Sequence, residues 1–146
     1  MIGGLAVNHW AAEPMATADV DIVIGAKDVE ACVQALEEVG FQAERFAWSV
    51  NLSGSSKVTI QISTDVFYES FPERAVDAQV HGIQMRVASV EDTLAGKAAA
   101  YQDPKRRGSK RQKDLLDLVR LIESHPHLLK LLPDSVRPVV EASLAT

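Results

Sequence analysis

The stretch Thr17–Ile24 limits the possible folds of this chain more strongly than any other part, because carboxylates alternate there with branched apolar residues. Successive side chains of a β-strand point to opposite faces, so Asp19 and Asp21 fall on the same face. The pattern predicts a strand from Val20 to Ile24, with both carboxylates on one face at its start.

Paired carboxylates on one strand face can share a divalent cation. Mg²⁺ suits such a pair, because it keeps several of its waters and takes its remaining ligands from substrate phosphates. Gly3 and Gly4 open a predicted helix, and bare backbone N–H groups at a helix start can approach a triphosphate closely. The motifs together predict Asp19 and Asp21 as metal ligands and the glycines as nucleotide-binding residues.

Each motif also has a simpler explanation. An Asp-x-Asp pair arises by chance in many proteins, and a glycine pair near a chain start can form only a turn. Their order along the chain and the patterns that flank them favour a metal–nucleotide site.

Length and composition indicate one domain. The chain has 146 residues, of which 47% are hydrophobic, so we expect a single domain over residues 1–146. The one cysteine, Cys32, lies in a helical pattern of apolar residues and is expected to be buried, so neither a disulfide framework nor secretion is indicated. With no membrane-length apolar run and no signal segment, we expect a soluble cytoplasmic protein that binds no membrane.

The charge distribution is uneven, although the net charge is −5. Six of the fifteen Lys and Arg residues form a cationic patch: Lys105, Arg106, Arg107, Lys110, Arg111 and Lys113. The patch would attract the phosphates of a nucleic-acid acceptor or of a nucleotide. A solvated loop and helix start with surface salt bridges explains it equally well.

Hydrophobic periodicity predicts an alternating order of helices and strands, which is typical of an α/β (α+β) fold. In the sheet-containing part, about residues 1–88, helices are expected over Ile2–Ala12 and Asp28–Val39, and strands over Val20–Ile24, Phe46–Leu52, Val58–Ile62, Ala78–Val80 and Ile83–Val87. The remainder, about residues 89–146, is expected to be helical over Ser89–Tyr101, Ser109–Ser124, His127–Leu132 and Asp134–Leu144.

Cap and turn residues support these boundaries. Asp28 is expected to cap its helix, which should stop at Gly40. The pairs Ser89 with Asp92 and Ser109 with Gln112 have capping-box spacing. Turn-rich linkers at Ser53–Ser56 and His81–Gly82 indicate hairpins.

The helix from Ser109 carries a second set of carboxylates. Asp114 and Asp117 lie near the border of its apolar stripe, where a carboxylate can face a cleft. The alternative pairs them along the helix surface with Lys110 and Lys113, at about 0.2–0.5 kcal/mol per pair. Taken alone, the pattern favours the surface pairs.

Lys97 is the one long cationic side chain in the small-residue stretch Leu94–Ala100. Its small neighbours leave room for the ammonium to reach a triphosphate oxygen. A lysine that extends along the surface into solvent is the more common case.

In this order, the motifs resemble those of the small bacterial nucleotidyltransferases related to abortive-infection toxins, within the DNA polymerase beta-like nucleotidyltransferase superfamily. The resemblance runs from about residue 2 to about residue 133. It rests on the segments Gly3–Ala6, Thr17–Val23, Ser89–Lys97 and Arg111–Leu118, with Ile60–Asp65 and Tyr68 between them. It implies a nucleotidyltransferase-like mixed sheet with flanking helices and a helical C-terminal half.

The resemblance also implies a role for each motif. The glycines would hold the nucleotide phosphates, and Asp19 and Asp21 would hold Mg²⁺. Lys97 would contact phosphate as part of the nucleotide site and the catalytic set. Asp114 would match the first aspartate of a basic-Asp-x-x-Asp helix, with a catalytic or nucleotide-contacting role, and Asp117 would be structural.

The reaction implied is Mg²⁺-dependent transfer of a nucleoside monophosphate from an NTP to a hydroxyl of RNA or protein, by the toxin of a toxin–antitoxin pair. The implied acceptor would bind at the cationic patch, through Lys105, Arg106, Arg107, Lys110 and Arg111. A homodimer or an antitoxin complex is a further expected assembly.

Three departures from the family pattern open a second hypothesis. Gln61 stands where many relatives place a third carboxylate, with Asp65 as a candidate substitute, and Glu13–Met15 stands where many have an arginine. The chain also begins almost on its glycine motif, where relatives usually carry a preceding helix, which would leave apolar surface exposed. A degenerate nucleotide-binding or regulatory module of the same fold is therefore the alternative, and a cleft with Gln61 in place of a third carboxylate would favour it.

Overall fold

The computed structural model describes every residue from 1 to 146. Its α-helices are α1 (Gly3–Trp10), α2 (Val29–Glu38), α3 (Phe71–Arg74), α4 (Val90–Gln102), α5 (Gly108–Ser124) and α6 (Arg137–Leu144). Its strands are β1 (Asp19–Val23), β2 (Gln42–Arg45), β3 (Ser49–Ser53), β4 (Thr59–Ser63), β5 (Val76–Val80) and β6 (Ile83–Val87). Short 3₁₀ segments lie at Ala26–Asp28, Val66–Tyr68 and Pro126–Leu131. None of the helices combines the length and apolarity that crossing a bilayer requires.

The main sheet has the strand order β1-β4-β3-β2. β1 and β4 are parallel, whereas β3 pairs antiparallel with both β4 and β2. The register places Asp21 opposite Gln61 and Gln61 opposite Asn51. Strands β5 and β6 form a separate hairpin, in which His81 (φ 51°) and Gly82 (φ 78°) adopt the left-handed conformations of a tight hairpin turn.

One face of the main sheet packs against α2. The buried residues of this cluster are Val29, Val33, Val50, Leu52 and Ile62. Cys32 is half-buried and packs against the same cluster, which agrees with the expected apolar role of this side chain. Because side chains alternate along each strand, the opposite face of the sheet is left for polar residues.

A second cluster holds the helices together. It joins α1, α4, α5, α6 and the 3₁₀ segment before α6 through Val7, Ala11, Leu94, Ala98, Leu118, Leu121, Ile122, Leu128, Leu132, Val136 and Val140. Helix α1 therefore belongs to the helical core, although the next element in the chain is the first strand. This position brings the start of α1 between the sheet and α4.

The predicted α/β class and the mixed sheet are confirmed, but the sequence missed β2 and α3. β2 is an edge strand of mostly exposed polar and charged residues, so it lacks the apolar alternation that reveals a strand. Helix α3 is only four residues long and is anchored by the buried Phe71.

Helix caps were predicted with mixed success. Ser89 caps α4, because its Oγ accepts a hydrogen bond from the Asp92 backbone N–H at 3.1 Å. Asp28 makes no cap, since a 3₁₀ turn precedes α2 and keeps this residue in a helical conformation. The expected cap at Ser109 is also wrong, because α5 already begins at Gly108. The end near Gly40 is confirmed, with φ at 102°.

Candidate active site

A cleft of about 210 Å³ opens between the polar face of the main sheet and helices α4 and α5. It gathers nearly every site residue that the sequence predicted: Gly3, Gly4, Asp19, Asp21, Lys97 and Asp114, together with Gln61. The predicted cleft-lining residues are thus brought together from segments that are far apart in the chain.

The carboxylates of Asp19 and Asp21 lie on the cleft face of β1. Neither accepts a hydrogen bond nor forms an ion pair within the chain. Burial is the largest cause that raises the pKa of Asp21, and the neighbouring Asp19 raises it further, against a smaller opposing effect of cations such as Lys97 and Lys110. The pair is therefore electrostatically unsatisfied, and a bound cation would relieve the repulsion between its members.

Gly3 sits against Asp21 so closely that no side chain fits there. Its φ is 69°, in the left-handed region that favours glycine, and a Cβ at this position would overlap the Asp21 carboxylate. The Ile2 backbone N–H donates to the Asp21 carbonyl at 2.8 Å, which ties the two segments together. A Cβ on Gly4 would lie 3.0 Å from Thr17 Oγ1. Gly3 thus leaves space for the Asp21 carboxylate, and both glycines line the cleft.

A third carboxylate does not join this pair. Gln61 lies opposite Asp21 on β4, and no group of three His, Cys, Asp or Glu side chains is arranged to hold a metal ion. Asp65 is not the substitute considered above, because its Oδ1 accepts a hydrogen bond from the Phe67 N–H at 2.9 Å and begins a 3₁₀ turn. Two carboxylates still fit Mg²⁺, which completes its shell with waters and substrate phosphates.

Lys97 points into the protein and not into solvent, so the surface alternative is wrong. Its Nζ lies 3.2 Å from Asp114 Oδ1 and 2.7 Å from Asp117 Oδ2, and its side chain is only 11% exposed. An ammonium carries three N–H groups, so two carboxylate contacts leave one for another anion. Lys97 also lines the cleft, where that anion would lie.

Asp114 and Asp117 are buried, each with 1% of its side chain exposed. Asp114 accepts from Arg106 Nε at 2.8 Å and from its second nitrogen at 3.2 Å, and Arg120 binds Asp117 at 2.9 Å. The expected surface pairs with the lysines of the same helix are wrong, because this face of α5 packs against α4. The expected structural role of Asp117 agrees with its pairing to Arg120 within the helix.

Arg120 is a residue that sequence reasoning missed. Besides Asp117, it donates to Asn8 Oδ1 at 2.9 Å and to the Glu13 carbonyl, and so it holds the loop that leads into β1. Asn8 in turn exchanges hydrogen bonds with the backbone of Met15 at 2.7 and 2.9 Å. No local pattern could indicate this contact, since α5 is distant from the loop in the chain.

The cationic patch divides into parts with different partners. Lys110 and Lys113 line the cleft and have no carboxylate within ion-pair distance, whereas Arg106 is held by Asp114. Arg111 donates to the Asp103 carbonyl at 2.8 Å and thereby closes the loop between α4 and α5. Only part of the patch therefore faces the cleft with free charge.

Two aromatic side chains form part of the cleft wall. Tyr68 and Phe71 line the cleft and contact each other with ring centroids 5.1 Å apart. Burial raises the pKa of Tyr68, and the nearby Asp65 adds to this effect. Gly96 lies beside the tyrosine, and a Cβ there would be 3.5 Å from its ring, an ordinary van der Waals distance. The sequence resemblance included Tyr68 but gave it no role.

Comparison with known structures supports the fold. The chain is similar to the lincosamide antibiotic adenylyltransferase LnuA in its lincomycin-bound form, with a TM-score of 0.56 and 14% identity over 82% of this chain and 84% of that chain. It is also similar to the antibiotic-resistance factor ANT(2'')-Ia, with a TM-score of 0.56 and 15% identity over 99% of this chain and 80% of that one. An antigenic nucleotidyltransferase-like protein from Paracoccidioides brasiliensis gives a TM-score of 0.53 and 20% identity over 84% of this chain and 66% of that one.

The family follows from the sequence match, because identities this low indicate a shared fold alone. No curated protein matches the sequence. The sequence profile of the family described as "Nucleotidyl transferase AbiEii toxin, Type IV TA system" matches residues 3–144, which is nearly the whole chain. This confirms the resemblance to nucleotidyltransferases related to abortive-infection toxins. The chain belongs to the AbiEii family of nucleotidyl transferase toxins of type IV toxin–antitoxin systems.

Proposed function

We propose that this chain transfers a nucleoside monophosphate from an NTP to a hydroxyl group of RNA or protein, in a reaction that depends on Mg²⁺. The observation that carries the proposal is the unsatisfied pair Asp19 and Asp21, which lies beside the exposed backbone of Gly3 and Gly4 in one cleft. A protein rarely leaves partly buried carboxylates without a partner unless a ligand supplies one.

Mg²⁺ would be held by Asp19 and Asp21, and when bound it would neutralise charge on the triphosphate. The fit of the site to this ion rests on the carboxylate pair and on the close approach of Gly3, which keeps Asp21 in position. Both ligands are on one rigid strand, so their spacing does not depend on a loop.

In the proposed step, an oxygen of the acceptor hydroxyl forms a bond to the α-phosphorus, and the bond from that phosphorus to the bridging oxygen of pyrophosphate breaks. The hydroxyl proton is lost to water, and pyrophosphate leaves with the bonding electrons. Positioning and charge neutralisation account for most of the catalysis in such reactions. Here the remaining N–H group of Lys97 and the free ammonium groups of Lys110 and Lys113 would bind phosphate oxygens.

We assign Asp114 to positioning and not to proton abstraction. Its oxygens are held by Lys97 and Arg106, and it is almost fully buried. In this role it keeps the Lys97 ammonium at the edge of the cleft with the help of Asp117.

The experiment measures NTP binding by calorimetry with and without Mg²⁺ and follows incorporation of α-labelled NTPs into total cellular RNA and protein. Asp19→Asn and Asp21→Asn should abolish Mg²⁺-dependent binding and labelling. Asp77→Asn, which alters an exposed carboxylate on the second sheet, is the matched control and should change neither. Equal labelling by the wild type and both cleft variants would overturn the proposal.

One observation favours a second candidate, a nucleotide-binding or regulatory module with lost turnover. Gln61 occupies the position opposite Asp21, and no third carboxylate replaces it. Under this candidate the wild type binds NTP with Mg²⁺ but labels no acceptor, and Gln61→Asp restores labelling. If the wild-type protein labels an acceptor, a nucleotide-binding module without turnover is excluded.

The assembly is part of the proposal as well. A toxin of this family would act with an antitoxin, and exposed apolar residues such as Trp48 and Val66 offer surface for such a partner or for a second copy of the chain. Light scattering of the purified chain, alone and with a candidate antitoxin, tests both assemblies.

A further inference from the structure

A row of polar side chains crosses the main sheet, starting at the proposed metal site. Asp21 lies opposite Gln61, Gln61 opposite Asn51, and Asn51 opposite Glu44. The alternate residues of these strands are buried against α2, so the row lies on the other face, which it shares with the cleft. Glu44 is exposed at the far end. The cleft therefore continues into an open polar surface.

Asn51 has an unsatisfied hydrogen-bonding atom in the middle of this row. The residue is half-buried, and its Oδ1 is inaccessible to solvent and has no donor. A buried amide oxygen without a donor is costly, and native proteins rarely keep one without a reason. An N–H or O–H group of a ligand on this surface would satisfy it after a small rotation of the side chain.

The next row on the same face ends in an aromatic ring. Ser63, which lines the cleft, lies opposite Ser49, and the Phe46 N–H donates to the Ser49 carbonyl at 2.8 Å. Phe46 lies one residue past the end of β2, but its hydrogen bond to Ser49 continues the pairing of Arg45 with Val50. Alternation from Glu44 therefore places Phe46 on this face. It is 51% exposed. Amide groups beside an exposed ring are the combination that recognises an unpaired nucleobase by its edge and by stacking.

The position of the glycines determines the direction from which an acceptor would arrive. Ile2 bridges to Asp21 on the edge of β1 that is remote from β4. Gly3 and Gly4 therefore lie on one side of the carboxylates, and Gln61 lies on the other. In-line displacement places the attacking oxygen opposite the leaving pyrophosphate. With the pyrophosphate at the glycines, the hydroxyl approaches from the side of Gln61.

We propose that Gln61, Asn51 and Phe46 bind the terminal nucleotide of a single-stranded RNA acceptor, an inference that rests on the proposed function. The amides contact the edge of the base, and the ring of Phe46 stacks on it. The unpaired Lys110 and Lys113 across the cleft supply positive charge for RNA phosphates. This combination of a stacking ring, amides and free cations suits RNA better than a protein hydroxyl, which brings neither bases nor phosphates.

The test separates RNA binding from NTP binding. A 5′-fluorescein-labelled single-stranded RNA of about 12 nucleotides is followed by anisotropy with Mg²⁺ and a non-reactive NTP analogue, while calorimetry reports NTP binding. Asn51→Ala and Phe46→Ala should each weaken RNA binding about tenfold and leave NTP affinity unchanged. Gln84→Ala and Ile83→Ala change an exposed amide and an exposed apolar residue on the second sheet, and should alter neither. Thermal melting verifies that all variants are folded.

Three other outcomes would overturn the assigned surface, the RNA occupant or the proposed function. Unchanged RNA affinity in both cleft-face variants overturns the assignment of this surface. Wild-type protein that binds NTP with Mg²⁺ but not the RNA overturns RNA as the occupant, while the proposed transferase function stands. Absence of Mg²⁺-dependent NTP binding refutes the proposed function, and the acceptor surface with it.

Discussion

Two pairs of aspartates have opposite electrostatic surroundings, and all of them except Asp117 line the cleft. Asp19 and Asp21 on β1 have no partner in the chain, and burial and mutual repulsion raise the pKa of Asp21. Asp114 and Asp117 on α5 are buried more completely, but Lys97 lies within 3.2 Å of both, and each also binds an arginine. Aspartate charges thus lack a partner on β1, whereas on α5 they are paired with cations.

The contrast distinguishes carboxylates that bind a ligand from carboxylates that stabilise the fold. A compensated carboxylate stabilises the scaffold, and removing one partner leaves the others buried without compensation. An uncompensated carboxylate destabilises the free protein and becomes favourable only when a ligand supplies the missing charge. Variants of the two pairs should therefore differ in which property they lose.

The largest effect is expected for Asp21→Asn. Loss of a metal ligand should reduce labelling of the acceptor by about 10³-fold or more, because a bound metal contributes several kcal/mol to such reactions. Metal-free thermal stability should stay equal or rise, since the substitution removes a repelled charge. Labelling assays and thermal melting measure the two effects. A lower melting temperature without Mg²⁺ would show that Asp21 supports the fold.

Asp117→Ala should have the opposite signature, a loss of folding stability. Lys97 and Arg120 would be left without this carboxylate, at a cost of about 3–5 kcal/mol in the free energy of unfolding. Urea denaturation measures the loss. The control is Asp134→Ala, which breaks another aspartate–arginine pair of the same spacing, with Arg137 at 3.0 Å, but with the aspartate 93% exposed. There we expect at most about 1 kcal/mol, and similar losses in both variants would contradict the comparison.

Gly3→Ala should combine a modest loss of stability with a loss of metal-dependent NTP binding. The left-handed φ costs an alanine about 1–2 kcal/mol, and its Cβ would displace the Asp21 carboxylate. Gly82→Ala has a similar φ, 78°, but open space around the added carbon. Denaturation should show a loss of stability for both variants, whereas calorimetry should show weaker Mg²⁺–NTP binding only for Gly3→Ala. Unaltered NTP binding in the Gly3→Ala variant would show that Gly3 has no role in the nucleotide site.

The smallest effect is expected for the free cations. Lys110→Gln and Lys113→Gln should each weaken NTP binding by about 1 kcal/mol, or roughly fivefold, because they act on phosphates as partly solvated charges. The effect should shrink at high salt, owing to screening. Lys27→Gln and Lys57→Gln, which lie outside the cleft, serve as controls for the change in net charge. Calorimetry at low and high salt measures these affinities. Equal NTP affinities in all four variants would refute the assignment of Lys110 and Lys113 to phosphate binding.

Local patterns predicted much of the fold. The alternation around Asp19, the turn at Gly82 and the cap at Ser89 depend on residues that are close in sequence, and the structure agrees with each. The edge strand β2 was missed because its residues do not alternate between polar and buried apolar types. The cap at Asp28 failed because a 3₁₀ turn extends the helix beyond the expected boundary.

The candidate site divides in the same way. Local sequence is enough to predict that Asp19 and Asp21 share a strand face and that Gly3 and Gly4 begin a helix, because strand alternation and backbone freedom are local properties. Packing between distant segments makes Lys97 and Arg106 hold Asp114, makes Arg120 hold the loop before β1, and places Gln61 opposite Asp21. Those contacts depend on which elements pack together, and buried charges select their partners by distance in space, so spacing along the chain could not have identified them.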